Sequence, residues 1–216
     1  MKQVFIYCEG QTEEGFINNV LSPYFAQMEI YVTPIIHKTK RTPIGAYKGG
    51  VSRYEAIRRE LVILCQTPNV LVTTMFDYYQ MPTDTPAIAS KEPDIYKRME
   101  IIETAVNQDI GHPNLMFHLM LHEFETLLYS EPKAFSLIAK DSTVSAIQKI
   151  RDAFPTPEHI NNSIETAPSK RILHLIPNYS KTRQGVLIAK NIGIDRMLSE
   201  CKHFAAWVEK IRKACL

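Results

Sequence analysis

The chain has 216 residues, of which 45% are hydrophobic and 22% charged, as expected for a globular protein with a substantial core. It contains no run of about 18 apolar residues, so the sequence predicts no membrane span. The first predicted strand begins close to Met1, and we therefore expect no signal peptide. The four cysteines lack metal-ligand spacing, which favours free thiols and a cytoplasmic location.

The net charge of +2 is unevenly distributed along the chain. From residue 165 onward there are ten basic and four acidic residues, whereas the preceding part has 15 basic and 19 acidic residues. A basic carboxyl-terminal part beside an acidic remainder suits a phosphate-bearing ligand. Alternatively, the basic residues lie on solvated helix faces.

The first part of the chain alternates predicted strands and helices. Apolar runs over residues 4–8, 30–36 and 70–77 predict strands, and apolar residues recur at helical spacing before the second and third of these. The first helical pattern is expected to break near Pro23. A polar segment over 37–51 predicts a loop, and Ser52 is spaced from Glu55 as in a capping box. This order favours a parallel sheet with crossover helices.

The rest of the chain is mainly helical in pattern. We predict a long loop over 78–98, a helix over 95–106, a strand over 115–121 and a helix starting at 124–129. The carboxyl-terminal third predicts helices over 142–154, 169–176, 183–191 and 195–213. The fold class is therefore α/β, a mostly parallel sheet flanked by helices over 1–135, with a helical extension over 136–216 packed on it.

Acidic residues follow three of the predicted strands. Glu9 comes after the first strand and Asp77 ends the third, while Glu123 and Glu125 follow the strand over 115–121. Open α/β sheets keep their sites at the carboxyl ends of the strands, and a buried carboxylate must be paired, metal-bound or neutralised. We therefore predict one acidic site formed by Glu9, Asp77 and either Glu123 or Glu125, with Glu123 slightly favoured.

Carboxylates without cysteine favour a hard cation, Mg²⁺ or Mn²⁺, which would activate water and polarise a phosphodiester. His122 is a candidate general base or metal ligand, with a structural role as the alternative. Glu13 lies in the first turn of the predicted helix, where the helix dipole also favours an acid.

Basic residues in the carboxyl-terminal part provide a candidate phosphate site. Lys170 and Arg171 follow Pro168 at a predicted helix start, where backbone N–H groups also attract anions, and Lys181 comes shortly afterwards. The alternative is that these three are ordinary exposed cations.

The strand followed by Glu9-Gly10-Gln11-Thr12-Glu13, together with a later strand ending at Asp77, resembles the Toprim fold of topoisomerases, primases and overcoming-lysogenization-defect nucleases. The resemblance implies that Glu9 takes the role of the family's glutamate and Asp77 that of its first aspartate in holding Mg²⁺. The family's second aspartate corresponds to Tyr79, which removes a ligand unless Glu123, Glu125 or Asp84 replaces it.

The chain is more closely similar to domain-of-unknown-function family 4276. The residues that carry this similarity are Glu9 to Glu13, Phe76 to Tyr79, His122 to Glu125, Pro168 to Arg171 and Gly193 to Asp195. The resemblance implies a Toprim-like protein of bacterial anti-phage defence, often encoded beside an ATPase.

Three functional hypotheses remain open at this point. The first is a metal-dependent nuclease or related phosphodiester enzyme that acts on nucleic acid, with an ATPase as a possible partner. The second is a non-catalytic Toprim-like module that binds a partner protein or nucleic acid, which Tyr79 favours. The third is a phosphotransfer or nucleotide-processing enzyme that uses the same acids.

Overall fold

The computed structural model describes residues 2–37, 53–161 and 164–216 of the chain. Most of the predicted loop over 37–51, and Ser52 of the predicted capping box, lie outside the described residues. Within them, a parallel sheet is flanked by helices and followed by a helical carboxyl-terminal part. The α/β class predicted from the sequence is therefore confirmed.

All strands of the described sheet run parallel. They are β1 (Lys2–Cys8), β2 (Ile30–Ile36), β3 (Val70–Asp77), β4 (Leu115–Met116) and β5 (Leu119–Met120). Their order is β2-β1-β3-β4, and β5 pairs with the carboxyl end of β3. Because the strands are parallel, the segments that follow β1, β3 and β5 all leave the same edge of the sheet.

The helical segment after β1 passes through Pro23. Helix α1 (Gln11–Phe16) continues as a π-helical turn (Ile17–Leu21) and then as α2 (Ser22–Ala26). The predicted break at Pro23 is therefore wrong. The π-helical turn changes the hydrogen-bond spacing just before the proline, where a regular α-helix would need the N–H that proline lacks.

The predicted strand over 115–121 is divided at Phe117 and His118. Thr74 Oγ1 donates to the His118 carbonyl at 2.6 Å and accepts from the His118 N–H at 2.7 Å. The Phe117 N–H donates to Asn107 Oδ1 at 2.9 Å. Side chains thus satisfy the backbone groups at this point, and β4 and β5 remain as two short strands beside β3.

Helices cover both faces of the sheet. One face packs against α3 (Tyr54–Cys65) and α4 (Ile95–Ile110). The other face packs against α1 and the carboxyl-terminal helices, which are α5 (Asp141–Asp152), α6 (Pro168–Leu175), α7 (Val186–Ile192), α8 (Ile194–Glu200) and α9 (Lys202–Cys215). The single helix predicted over 195–213 is thus two helices that meet at Cys201.

Shorter helical segments connect these elements. The 3₁₀ segments are Tyr78–Gln80, Phe124–Ser130, Pro132–Leu137, Pro157–His159 and Ile164–Thr166. A π-helical turn over Lys181–Gly185 leads directly into α7.

The two-residue period of β1 separates the two cores. Val4 and Ile6 belong to the core that contains α1 and the carboxyl-terminal helices, whereas Tyr7 belongs to the core beneath α3 and α4. Successive side chains of a strand point to opposite faces, so β1 contributes to both. Apolar residues before and after residue 135 share the first core, and the division of the chain at that position stays a prediction.

Across the described ranges, no helix has both the length and the apolar character required to cross a membrane. The cysteines are free thiols, as predicted. The cytoplasmic location stays a prediction.

Candidate active site at the carboxyl edge of the sheet

Glu9 and Glu13 enter the edge from the turn after β1. Glu9 is partly buried, and Glu13 is buried in the first turn of α1. The Glu13 Oε2 atom accepts the Gly10 N–H at 2.9 Å, which orients this carboxylate at the helix start. Gly10 itself is extended, so the turn does not require glycine. The predicted helix-start role of Glu13 and its position in the acidic cluster are therefore compatible.

Asp77 is buried at the end of β3. Its Oδ1 accepts the backbone N–H of Phe124 at 3.0 Å, which joins the end of β3 to the segment after β5. Burial raises the pKa of Asp77 well above its usual value, and the charges of the neighbouring glutamates raise it further.

Glu123 and Glu125 both point into the acidic cluster, although the predicted site needs only one of them. His122 has a φ of 68°, and this left-handed residue turns the chain between β5 and the 3₁₀ segment that begins at Phe124. Glu123 Oε2 accepts the Ser169 N–H at 2.9 Å. Glu125 is completely buried, and its Oε1 has no hydrogen-bond partner among the described residues.

His122 is held by groups outside the acidic cluster. Its Nε2 hydrogen-bonds to the Glu158 carbonyl at 3.1 Å, and its ring stacks on Tyr79 with the centroids 5.3 Å apart. Tyr79 also accepts a hydrogen bond from the Asn161 side chain. Burial lowers the pKa of His122 to about 4. These contacts give both His122 and Tyr79 a packing role; catalysis or metal binding by His122 stays a prediction.

The structure separates the three predicted phosphate ligands. Lys181 reaches into the acidic cluster, with its Nζ 3.1 Å from Glu125 Oε2 and 3.9 Å from Glu123 Oε1. Arg171 is bound elsewhere, since its Nε donates to the Thr166 carbonyl at 2.7 Å and its guanidinium lies over a phenylalanine ring. Lys170 is exposed. The Ser169 N–H at the start of α6, expected to face a phosphate, is used by the Glu123 carboxylate.

Among the described residues, carboxylates outnumber cations in this cluster. Burial, followed by repulsion from Glu13, raises the pKa of Glu9 to about 7, although Lys181 opposes the shift. Burial also raises the pKa of Glu125 to about 7, again against the influence of Lys181. The Lys181 ammonium group therefore does not by itself neutralise the carboxylates of the described residues, and an added cation would relieve the remaining repulsion.

The ligand atoms of the acidic cluster do not all lie within 4.8 Å of one another. In the described parts of the chain, one group of three or more His, Cys, Asp or Glu residues has its ligand atoms within 4.8 Å of one another, and it consists of Glu103, His118 and His203. The sequence does not predict this group. Its members come from α4, the break between β4 and β5, and α9, and no local spacing in the sequence connects them.

Comparison with known proteins identifies the family. The profile of the family described as Domain of unknown function (DUF4276) matches residues 8–212. Two structures of the C-terminal region of the OLD protein of Xanthomonas campestris pv. campestris, phased with platinum and with iodine, are 14% and 15% identical to this chain. They cover 100% and 99% of this chain and 98% of their own, with TM-scores of 0.41 and 0.39. No curated protein matches. Because the profile spans nearly the whole sequence, the chain belongs to the DUF4276 family.

Proposed function

We propose that this protein is a Mg²⁺-dependent nuclease or a related phosphodiester-processing enzyme with a Toprim-like acidic site. The observation that carries the proposal is the meeting of carboxylates from the ends of β1, β3 and β5 around one lysine. These carboxylates are Glu9, Glu13, Asp77, Glu123 and Glu125, with Lys181 beside the last two. The proposal extends to anti-phage defence in the cytoplasm together with an ATPase partner.

The donor set fits a hard divalent cation. Its ligands would be Glu9, Asp77 and Glu123 or Glu125, all of which offer carboxylate oxygens. Among the described residues, the Oε1 atom of buried Glu125 has no hydrogen-bond partner. Together with the raised pKa values of Glu9 and Asp77, this supports the binding of a positive charge at the cluster. When bound, Mg²⁺ or Mn²⁺ would polarise the phosphodiester and lower the pKa of a water molecule.

The chain's own residues then have distinct roles. Burial and repulsion from Glu13 raise the pKa of Glu9 to about 7, so this carboxylate is suited to hold the cation, whose positive charge would offset that repulsion. The Lys181 ammonium lies beside the carboxylates, where it would orient a phosphate oxygen of the substrate. Lys170 is exposed and would contact nucleic acid further from the reacting phosphate, and Arg171 would stabilise the loop that precedes α6.

A second candidate function is a non-catalytic module that binds nucleic acid or a partner protein. Two observations favour it. Tyr79, at the position of the second Toprim aspartate, is committed to stacking on His122. Lys181 already forms an ion pair with Glu125, and this pair partly replaces a cation.

The test is cleavage of labelled single-stranded and double-stranded DNA and RNA in Mg²⁺, in Mn²⁺ and in EDTA. The variants are Glu9→Gln and Asp77→Asn, with Glu100→Gln on the exposed face of α4 as a matched control. The nuclease proposal expects metal-dependent cleavage by the wild type and by Glu100→Gln, and a loss of at least a hundredfold in the other two. Nucleic-acid binding without cleavage, unchanged in Glu9→Gln and Asp77→Asn, would overturn it in favour of the binding module.

A further inference from the structure

A second cluster of ligating side chains, built from other residues than the acidic site, connects α9 to the sheet. Glu103 Oε1 lies 3.0 Å from His118 Nδ1 and 3.0 Å from His203 Nε2. Glu103 and His118 are buried, and His203 is largely buried. Helix α4, the break between β4 and β5, and the distant α9 thus bring one carboxylate oxygen and two imidazole nitrogens within 4.8 Å of one another.

We propose that Glu103, His118 and His203 form a binding site for a borderline divalent cation such as Zn²⁺, which fastens α9 to α4 and the sheet. Two histidines and one glutamate are an established donor set for zinc with a fourth position left open. Ligand atoms about 2.0–2.1 Å from a tetrahedral ion are about 3.4 Å apart. The observed 3.0 Å separations therefore need to open by only a few tenths of an ångström.

The surroundings provide space for the fourth ligand. A cavity of about 20 Å³ is lined by all three side chains and by Trp207 and Lys210. A water molecule needs about 10–15 Å³, so the cavity can hold one water beside the three side chains, where it could serve as the fourth ligand. Lys210 is exposed at this cavity, and the site consequently lies close to solvent, from which an ion would enter.

Neighbouring groups already orient the ligands. The Leu119 N–H donates to Glu103 Oε1 at 3.0 Å, which is the kind of outer contact that positions a metal-binding carboxylate. The His118 ring is stacked between Trp207 and His203, with centroid distances of 4.6 and 4.7 Å. The Trp207 Nε1–H donates to Thr73 Oγ1 at 2.8 Å, so the stack is anchored on β3.

The same residues without an ion form a hydrogen-bonded cluster in which both histidines donate to Glu103. A metal site would bind added Zn²⁺, whereas a purely hydrogen-bonded cluster would not. The chain has one tryptophan, and that residue stacks directly on His118. Its fluorescence therefore reports on the immediate surroundings of this cluster.

The experiment titrates metal-free full-length protein with Zn²⁺, and separately with Co²⁺, in millimolar Mg²⁺ that keeps the acidic site supplied with a hard cation. We expect one ion per chain, a change in tryptophan fluorescence, and absorption bands of four-coordinate Co²⁺. At zinc a hundredfold above Kd the melting temperature should rise by about 5–10 °C. His203→Gln should weaken binding at least tenfold, whereas His174→Gln, an exposed histidine on α6, should bind as the wild type does.

If His203→Gln does not fold, Glu103→Gln provides the second variant, because it keeps an oxygen acceptor for Leu119 and removes the charge. Far-UV circular dichroism verifies the fold of each variant. The proposal is overturned if the wild type binds no stoichiometric Zn²⁺ or Co²⁺, or if His203→Gln and Glu103→Gln bind these ions as tightly as the wild type does. Since the readouts do not depend on cleavage, the outcome is separate from that of the proposed nuclease activity.

Discussion

Lys181 Nζ lies 3.1 Å from Glu125 Oε2, and this ion pair brings a residue that precedes α7 onto a completely buried carboxylate. The other oxygen of Glu125 has no hydrogen-bond partner among the described residues. One side of the carboxylate is therefore neutralised, and the other remains available for a cation or a proton.

Glu125 should make the stability of the metal-free protein decrease with rising pH. Burial raises its pKa to about 7 in the folded chain, whereas in the unfolded chain the pKa lies near its ordinary value of about 4.5. Between these values the folded chain holds a proton that the unfolded chain has released, so the free energy of unfolding falls as pH rises through this window. Over the whole window, the titration of Glu125 lowers the free energy of unfolding by about 3 kcal/mol.

Urea denaturation in EDTA at pH 5 and pH 7.5 measures this effect. Glu125→Gln should flatten the pH dependence, and added Mg²⁺ should stabilise the wild type at pH 7.5 more than this variant. Glu100→Gln, an exposed glutamate on α4, is the control and should behave as the wild type does. An unchanged pH slope in Glu125→Gln would show that Glu125 is not the group that titrates.

Replacing Lys181 with glutamine should affect metal and nucleic acid in opposite directions. The ammonium group competes with a divalent cation for Glu125 and Glu123, and its removal should raise the apparent Mg²⁺ affinity by about tenfold, equivalent to 1.4 kcal/mol. Loss of a phosphate contact should weaken nucleic-acid binding and reduce its salt dependence by about one ion. Calorimetry and binding at several salt concentrations measure the two effects.

Lys170→Gln is the matched control for this experiment. Lys170 is exposed, and no salt bridge within the described ranges joins it to the acidic cluster. Its substitution should leave Mg²⁺ affinity unchanged and, because Lys170 is proposed to contact nucleic acid, should weaken nucleic-acid binding. If Lys181→Gln weakens Mg²⁺ binding, the idea that Lys181 competes with the cation is wrong.

Asp77→Asn and Asp77→Ala should separate the structural role of Asp77 from its chemical role. Asparagine retains an oxygen that accepts the Phe124 N–H, whereas alanine leaves that buried N–H without a partner, at a cost of about 1–3 kcal/mol. Both variants should lose metal-dependent activity, and Asp77→Ala should also be the less stable of the two. Equal unfolding free energies for the two variants would argue against the hydrogen bond seen at 3.0 Å.

Gly185→Ala should destabilise the turn that carries Lys181. A Cβ atom at this position would lie 2.5 Å from the Tyr179 hydroxyl oxygen and 3.4 Å from a Phe124 ring carbon. Such overpacking costs about 1–3 kcal/mol. The Tyr179 hydroxyl is buried without a hydrogen-bond partner among the described residues, so Tyr179→Phe alone should be close to neutral or stabilising.

The double variant Gly185→Ala/Tyr179→Phe tests the cause directly. Removing the hydroxyl leaves the nearest remaining Tyr179 atom 3.6 Å from the added Cβ, an ordinary packing distance. Thermal unfolding of the two single variants and the double variant should therefore show that Tyr179→Phe recovers most of the stability lost in Gly185→Ala. If the two substitutions instead change the stability additively, the clash with the Tyr179 hydroxyl is not the cause of the loss in Gly185→Ala.

The sequence by itself determined the elements with strong local patterns. The strands over 4–8, 30–36 and 70–77 were predicted close to their observed limits, because β-prone apolar runs bounded by polar turns leave few alternatives. In a parallel sheet, strand ends share an edge. The convergence of Glu9, Asp77 and the acids after β5 could therefore be predicted without coordinates.

Only the tertiary structure decided which side chains contact one another over long separations. The sequence predicts Lys181 as a phosphate ligand together with Lys170 and Arg171. In the structure the Lys181 ammonium forms an ion pair with Glu125, whereas Arg171 donates a hydrogen bond to the Thr166 carbonyl. Similarly, the division of the strand at His118 depends on the hydroxyl of Thr74 from the adjacent strand. Glu103, His118 and His203 meet only because α4 and α9 pack at the same end of β5. Local sequence encodes the period and the ends of an element, whereas such contacts depend on how the elements pack in three dimensions.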